Sequence, residues 1–199
     1  MKTFSYAREL KEVSMFFAGK DEVHKTLSRL IARLEKARIA YAIVGAMALV
    51  AHRYRRTTTD VDILLNAEGF AQFQELYVGK YYERLPRRPR RFVDRANRVM
   101  IDFLVTGMFP GSGLPGPIAY PEPRQVRQKI QKTWVIDLST LVQLKLAARR
   151  WKDFADVVEL IRHNKLDESF AESLDRSVRN DYIECLEEKR REDLYEGEG

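Results

Sequence analysis

Apolar residues recur at helical spacing after Asp21, at Val23, Leu27, Leu30, Ile31 and Leu34, which predicts an amphipathic helix over about 21–37 with Asp21 as its N-cap. A short apolar run from Tyr41 to Val44 stops at Gly45 and passes into Ala46 to Tyr54, rich in Ala, Met and Leu, which reads as strand, tight turn and helix. Thr57, Thr58 and Thr59 lead into Asp60-Val61-Asp62-Ile63-Leu64-Leu65, whose β-branched and aliphatic residues predict a second strand. Asn66 is placed to cap a helix that carries Phe70, Phe73, Leu76 and Tyr77 on one face. Beyond Gly79 and an arginine-rich stretch, Arg91 to Arg95 and Val99 to Val105 pair as a hairpin across Ala96-Asn97. Glycines and prolines from Thr106 to Pro123 exclude regular structure and mark a long loop. A short strand from Thr133 to Asp137 precedes Ser139, read as the cap of a helix through Arg150, and further helices follow over about 152–163 and 167–190.

This order predicts an α/β (α+β) fold, a small mixed β-sheet with flanking helices and a C-terminal helical part. The division expected is a core over 1–125, including the N-terminal helix, and a helical region over 126–199 packed on it. With 199 residues, 45% of them apolar, the chain can bury a real core. No window is apolar enough to span a membrane, and residues 1–16 are too charged for a secretory signal, so a cytoplasmic protein with no membrane partner is expected. The single cysteine, Cys185, excludes an internal disulfide and a zinc cluster, and its helical setting favours a structural thiol. The stretch from Glu184 to Glu198 reads as a solvated helix end running into an acidic tail.

Charge changes the picture further. Lys plus Arg exceeds Asp plus Glu by 35 to 29, and Arg84, Arg87, Arg88, Arg90, Arg91, Arg95 and Arg98 crowd one stretch, which suggests a polyanionic partner, nucleotide or nucleic acid. Acids two apart on a strand project to the same face, so Asp60 and Asp62 point together. Like charges in one place disfavour joint ionisation, and a hard divalent cation removes that cost. Asp102, flanked by Ile101 and Phe103 in a run that otherwise reads as core, supplies a third acid on an adjacent strand. The bland alternative is three surface or strand-end acids.

Ile43-Val44-Gly45-Ala46, Thr58-Thr59-Asp60-Val61-Asp62-Ile63 and Val99-Met100-Ile101-Asp102 together resemble the nucleotidyltransferase superfamily with the polymerase β-like fold. Within it, Leu141 to Asp156, with Lys145, Arg149, Lys152, Asp153 and Asp156, resembles the helical motif of AbiEii-type toxins and related bacterial nucleotidyltransferases. The resemblance implies a Mg²⁺-dependent (or Mn²⁺-dependent) enzyme in which Asp60, Asp62 and Asp102 are catalytic and hold the metal, Asp102 also taking the acceptor's proton. It places Gly45 and Ala46 at a phosphate-facing turn, where Ala46 stands in place of the serine of many members, leaving backbone N–H groups to hold the phosphates. Arg56 and Thr59, just before the acidic strand, become nucleotide contacts, and Lys145, Arg149 and Lys152 candidates for the triphosphate tail, oriented by Asp153 and Asp156. A solvated ion-pair ladder explains Lys145, Arg149 and Asp153 as readily.

Arg87, Arg88, Arg90 and Arg91 are candidates for nucleic-acid contact, against a solvated charged loop. His52, Trp134, Trp151, Tyr77, Tyr81 and Tyr82 read as structural, core or rim residues. The leading functional reading is transfer of a nucleotide from an NTP to a hydroxyl or phosphate of tRNA or other RNA, a protein or a small molecule, with a toxin role and an antitoxin partner implied by the second resemblance. The alternative is a degenerate fold that binds nucleotide, RNA or protein without turnover, and phosphoester hydrolysis ranks last because His24, His52 and His163 are scattered.

Overall fold

A computed structural model describes residues 19–197, and both the charged stretch over 1–16 and the last residues of the acidic tail lie outside the described residues. Helix α1 (Glu22–Lys36) starts where Asp21, in extended backbone, accepts a hydrogen bond from the His24 N–H. It buries Val23, Leu27, Leu30, Ile31 and Leu34, the stripe read from the sequence. There follow β1 (Tyr41–Ile43), α2 (Gly45–Ala51), β2 (Asp60–Leu65) and α3 (Ala67–Tyr77), the last capped by Asn66 accepting from the Gly69 N–H. Strands β3 (Tyr82–Arg84), β4 (Arg91–Asp94), β5 (Met100–Val105), β6 (Arg127–Ile130) and β7 (Thr133–Ile136) come next. The chain continues with α4 (Leu138–Ala148), α5 (Trp151–Asn164), two 3-10 turns (Glu168–Ser173 and Arg176–Val178) and α6 (Arg179–Gly197).

The seven strands form one mixed sheet in the order β3-β4-β5-β2-β1-β7-β6. The fold is therefore α/β, as expected. β2 runs parallel to β5 and antiparallel to β1, and β1 runs parallel to β7. On one face of the sheet, Ile101, Phe92 and Phe103 pack with Phe73 of α3 in the core, with Phe73 and Phe103 ring centroids 4.5 Å apart. The side chains one position along, Asp60, Asp62 and Asp102, are left on the opposite face.

Several boundaries differ from the reading of the sequence. β3 and β6 are short strands at the two sheet edges, where exposed Glu83, Arg84 and polar neighbours hide any apolar alternation. Since β7 pairs with β1, the division at 125/126 cuts off strands that belong to the sheet. The cap of α4 is Asp137, which accepts from the Thr140 N–H, and Ser139 instead donates its hydroxyl to Asp137. The helix expected over 167–190 begins only at Arg179, because Asp167 and Asp175 each cap a 3-10 turn first. Leu76 is 37% exposed and does not join Phe73 in the core. No helix among the described residues is long and apolar enough to cross a membrane.

Candidate active site

The acidic face is assembled by strand register. Asp62 of β2 lies directly opposite Asp102 of β5, and Asp60 precedes it by two residues on the same face. Above them, the turn from β1 into α2 is tied to β2 by the Val44 N–H, which donates to the Asp62 carbonyl at 3.1 Å. Gly45 there has φ +61°, and a β-carbon on it would stand 1.9 Å from Asp62 Oδ2. The turn thus rests against the Asp62 carboxylate, and glycine is needed both for the backbone and for the close approach. No side chain caps α2, whose first residues are Gly45 and Ala46.

The cleft over this face has a volume of about 210 Å³ and is closed by α4, α5 and the long loop. Leu141, Leu144 and Lys145 line it from α4, Asp153 from α5, and Arg150 from the link between the two helices. Pro110 and Tyr120 line it from the loop, whose two limbs are pinned by the Gly107 N–H donating to the Tyr120 carbonyl and the Tyr120 N–H to that of Met108. Burial raises the Tyr120 hydroxyl pKa, against the pull of Arg150 and Arg90.

The three acids have different surroundings. Burial first, then Asp60 and Asp102, push the Asp62 carboxyl from its ordinary 3.8 up to about 7, with Lys145 and Lys152 opposing. Asp60 accepts a hydrogen bond from the Thr58 hydroxyl, and it is Thr58 that makes this contact while Thr59 is exposed. Asp102 is held by Arg91, its cross-strand neighbour on β4, whose Nε donates to Oδ1 at 2.6 Å and Nη2 to Oδ2. That fork raises the Arg91 pKa, as do Asp60 and Asp62 beyond it.

The all-oxygen donor set suits a hard divalent cation, and the raised Asp62 carboxyl is a group whose ionisation a cation would favour. The arrangement does not complete the fit. Among the described residues no three His, Cys, Asp or Glu side chains are grouped to hold a metal ion, and both Asp102 oxygens are taken by Arg91. Asp60, Asp62 and Asp102 thus share one sheet face, with Asp102 engaged by Arg91.

The cationic side is also rearranged. Lys145 is buried, with Nζ 2.7 Å from Asp156 Oδ2 and 3.3 Å from Asp153 Oδ1, so the solvated ladder expected at these positions is a buried network that still borders the cleft. Arg150 Nε closes it on Asp153 and Arg56 Nη1 on Asp156. Arg56 is therefore occupied by a carboxylate. Arg149 does not line the cleft: it ends α4 in the left-handed conformation, φ 52°, and pairs with Asp181 of α6 at 3.0 Å. Lys152 is exposed but near enough for Asp62 to feel its charge.

Sequence reasoning missed Arg150, Tyr120 and the fork of Arg91. Of the crowded arginines, Arg84 bonds Gln74, Arg95 and Arg98 pair with Glu83, and Arg91 faces Asp102. Arg87 and Arg88 stand exposed on the β3–β4 connection, with Arg90 beside the loop at Met108. His52 is structural: its buried ring bonds the Ile136 carbonyl and burial lowers its pKa. Cys185 is buried and its thiol is pushed up to about 12, which leaves it unreactive.

The Asp62 shift predicts a pH dependence. Between pH 3.8 and about 7 the folded protein keeps a proton that the unfolded chain has released, so stability falls as pH rises through that window. In EDTA, Asp62→Asn is expected to remove this slope and to gain about 2 kcal/mol on the wild type between pH 5 and pH 8. Urea melts across pH measure it, and parallel curves for the two proteins would refute the burial of Asp62.

No protein-family model matches the chain, and no curated protein matches it. Among solved structures it is similar to ANT(2″)-Ia in complex with adenylyl-2″-tobramycin, at 13% identity over 85% of this chain and 92% of that one, with a TM-score of 0.38. It is similar to a candidate nucleotidyltransferase from H. pylori, at 12% identity over 86% of this chain and 79% of that one, with a TM-score of 0.46. It is also similar to an antigenic nucleotidyltransferase-like protein from Paracoccidioides brasiliensis, at 15% identity over 88% of this chain and 91% of that one, with a TM-score of 0.49.

Proposed function

We propose that the chain is a nucleotidyltransferase that moves a nucleotidyl group from an NTP to an acceptor hydroxyl or phosphate. One observation carries the reading: Asp60, Asp62 and Asp102 share one sheet face beneath the Gly45 turn, and that face closes a cleft whose opposite wall carries Lys145 and Arg150. Acids on one wall, with Lys145 and Arg150 paired to Asp153 on the other, suit a reaction in which a polyphosphate is positioned on one side and an oxygen nucleophile is relieved of its proton on the other. At about 210 Å³ the cleft is smaller than the roughly 300–1,000 Å³ of sites that enclose a whole drug-sized ligand, so it takes the phosphate end of a nucleotide with the remainder toward the rim.

In the reaction the acceptor oxygen attacks the α-phosphorus, the bond to the bridging oxygen breaks, pyrophosphate leaves and the acceptor's proton passes to a carboxylate of the acidic face. Lys145, Arg150 and Lys152 attract the phosphates, and Gly45 lines the cleft that receives them. Mg²⁺ or Mn²⁺, held by the acids, would neutralise charge on the triphosphate. Exposed Arg87 and Arg88, with Arg90, lie on the hairpin that carries Arg91 and offer phosphate contacts to an RNA acceptor such as tRNA.

The test incubates the full chain with each α-labelled NTP, Mg²⁺ or Mn²⁺, total tRNA and cell-extract protein. Transfer of label to one fraction, reduced at least 100-fold by Asp62→Asn, is expected. No transfer to any acceptor, with NTP binding intact, would favour the second reading of a fold that binds without turnover, for which the fork of Arg91 on Asp102 is the specific argument. A toxin role with an antitoxin protein as partner rests on the sequence resemblance. Induced expression should then arrest growth for the wild type and not for Asp62→Asn.

A further inference from the structure

We propose that the groove between α5 and α6 docks an amphipathic helix of a partner protein, one with Lys or Arg residues flanking an apolar stripe. The groove lies apart from the cleft, so it stands whether or not nucleotide is transferred there: Asp153 of α5 lines the cleft, whereas Trp151, Phe154, Ala155 and Val158 of the same helix line the groove.

Two helices side by side make the groove. Their contacts rise in step along both, the Cys185 thiol with the Phe154 carbonyl and then Glu192 with Arg162, so α5 and α6 run parallel. Buried Val158 and Cys185, with half-buried Phe154, form an apolar floor, and the space above it is about 820 Å³. The lining runs from Trp151 to Glu159 on α5 and from Glu184 to Glu192 on α6, about 12 Å of helix on each, so a partner helix meets it over about two turns. Aromatic side chains stand exposed along this length. Trp151 at one end is 92% exposed, and Tyr195, four residues beyond Arg191 on the same face of α6, is 79% exposed. Such aromatics are the side chains whose burial contributes most at protein interfaces.

The charge of the groove is opposite to that of the chain. Glu159, Glu184, Glu188 and Glu192 border it. Arg162 binds Glu159 and Glu192, with His163 also 3.4 Å from Glu159, and Arg191 pairs with Glu188 at the surface, while among the described residues Glu184 has no ion pair. Four glutamates against two arginines leave an excess of negative charge on a chain whose net charge is +6. That excess favours Lys and Arg in the occupant and disfavours RNA or an anionic membrane surface. Helix α1, the basic helix of this chain, buries its apolar stripe in its own core, so a second copy does not offer such a face.

The probe is a phage-displayed library of helical peptides about five turns long, randomised along one face and panned on the full chain. Recovered peptides are synthesised, and their binding is measured by fluorescence anisotropy for wild type, Trp151→Ala and the double variant Glu184→Lys, Glu188→Lys. The expected peptides carry Lys or Arg beside apolar residues at i, i+3 or i+4 and i+7, and their affinity falls about tenfold or more for Trp151→Ala. The double variant should lose binding too and regain it for a peptide whose Lys and Arg are changed to Glu, which shows that the variant is folded and that charge sets the choice. Neutral or acidic peptides, equal affinity for all three proteins, or no peptide recovered at all would overturn the proposal. A dimer of the free chain that Trp151→Ala dissociates, seen by sedimentation equilibrium, would overturn it in favour of a second copy. Peptide binding gained only on removal of residues 1–18 would overturn it in favour of this chain's own N-terminal segment.

Discussion

Replacing Lys145 with Met is expected to lower the stability of the protein by about 3 kcal/mol, the scale on which breaking a buried ion pair leaves carboxylates uncompensated. Asp153 and Asp156 are 2% and 3% exposed, and Lys145 lies between them. Arg56 and Arg150 reach the same two acids from outside, with side chains 33% and 54% exposed, so they soften the loss without replacing it. Asp153 shows why: its Oδ2 accepts from Arg150, while its Oδ1 faces Lys145. Methionine fills the volume but leaves that inward oxygen without a donor. For a chain of this size a loss of 3 kcal/mol corresponds to a fall in Tm of about 6–12 °C.

The double variant Lys145→Met, Asp156→Asn should recover part of the loss, because it removes one of the two stranded charges. A second consequence reaches the acidic face: Lys145 lowers the pKa of Asp62, so its removal moves that carboxyl further up. Thermal melts of the single and double variants check the first effect. A single variant as stable as the wild type would show that the network is solvated, as a helix-surface ladder would be.

The same network shows where the sequence was legible and where it was not. Spacing puts Lys145, Arg149 and Asp153 at successive four-residue steps, but the burial of Lys145 and Asp153 depends on the reversal between α4 and α5, and that reversal hinges on Arg149 adopting the left-handed conformation usual for glycine. Nothing in the local sequence marks it, so Arg149 was read as continuing the helix face and Arg150, the residue that turns into the cleft, was passed over. The central strands were legible because they are short, apolar and β-branched, and β2 was read to the residue. The edge strands β3 and β6 were not, since polar edge strands carry no alternation. The fork of Arg91 on Asp102 lay within reach: a hairpin centred between Ala96 and Asn97 places residue 91 opposite residue 102, and only the step from pairing to charge was missing.

Gly45→Ala is expected to cost about 3–4 kcal/mol and to abolish NTP binding, although it adds a single methyl group. Two effects combine. At φ +61° an alanine is in the left-handed region, which costs about 1–2 kcal/mol by itself. Its β-carbon would also meet Asp62 at 1.9 Å from Oδ2, 2.7 Å from Cγ and 2.8 Å from Cβ. Rotation of the carboxylate relieves the first contact but not the last, because the Asp62 β-carbon is fixed to the central strand β2, hydrogen-bonded between β1 and β5. The turn itself must therefore move, which breaks the bond from the Val44 N–H to the Asp62 carbonyl and shifts the start of α2 away from the acidic face. Gly79→Ala separates the two effects: Gly79 has φ +84° but nothing within 4 Å of an added β-carbon, so it should show the backbone cost alone. Urea unfolding and NTP-induced thermal shift of the two variants decide the matter, and a Gly45→Ala protein no less stable than Gly79→Ala, with nucleotide binding retained, would mean that the turn does not rest on Asp62.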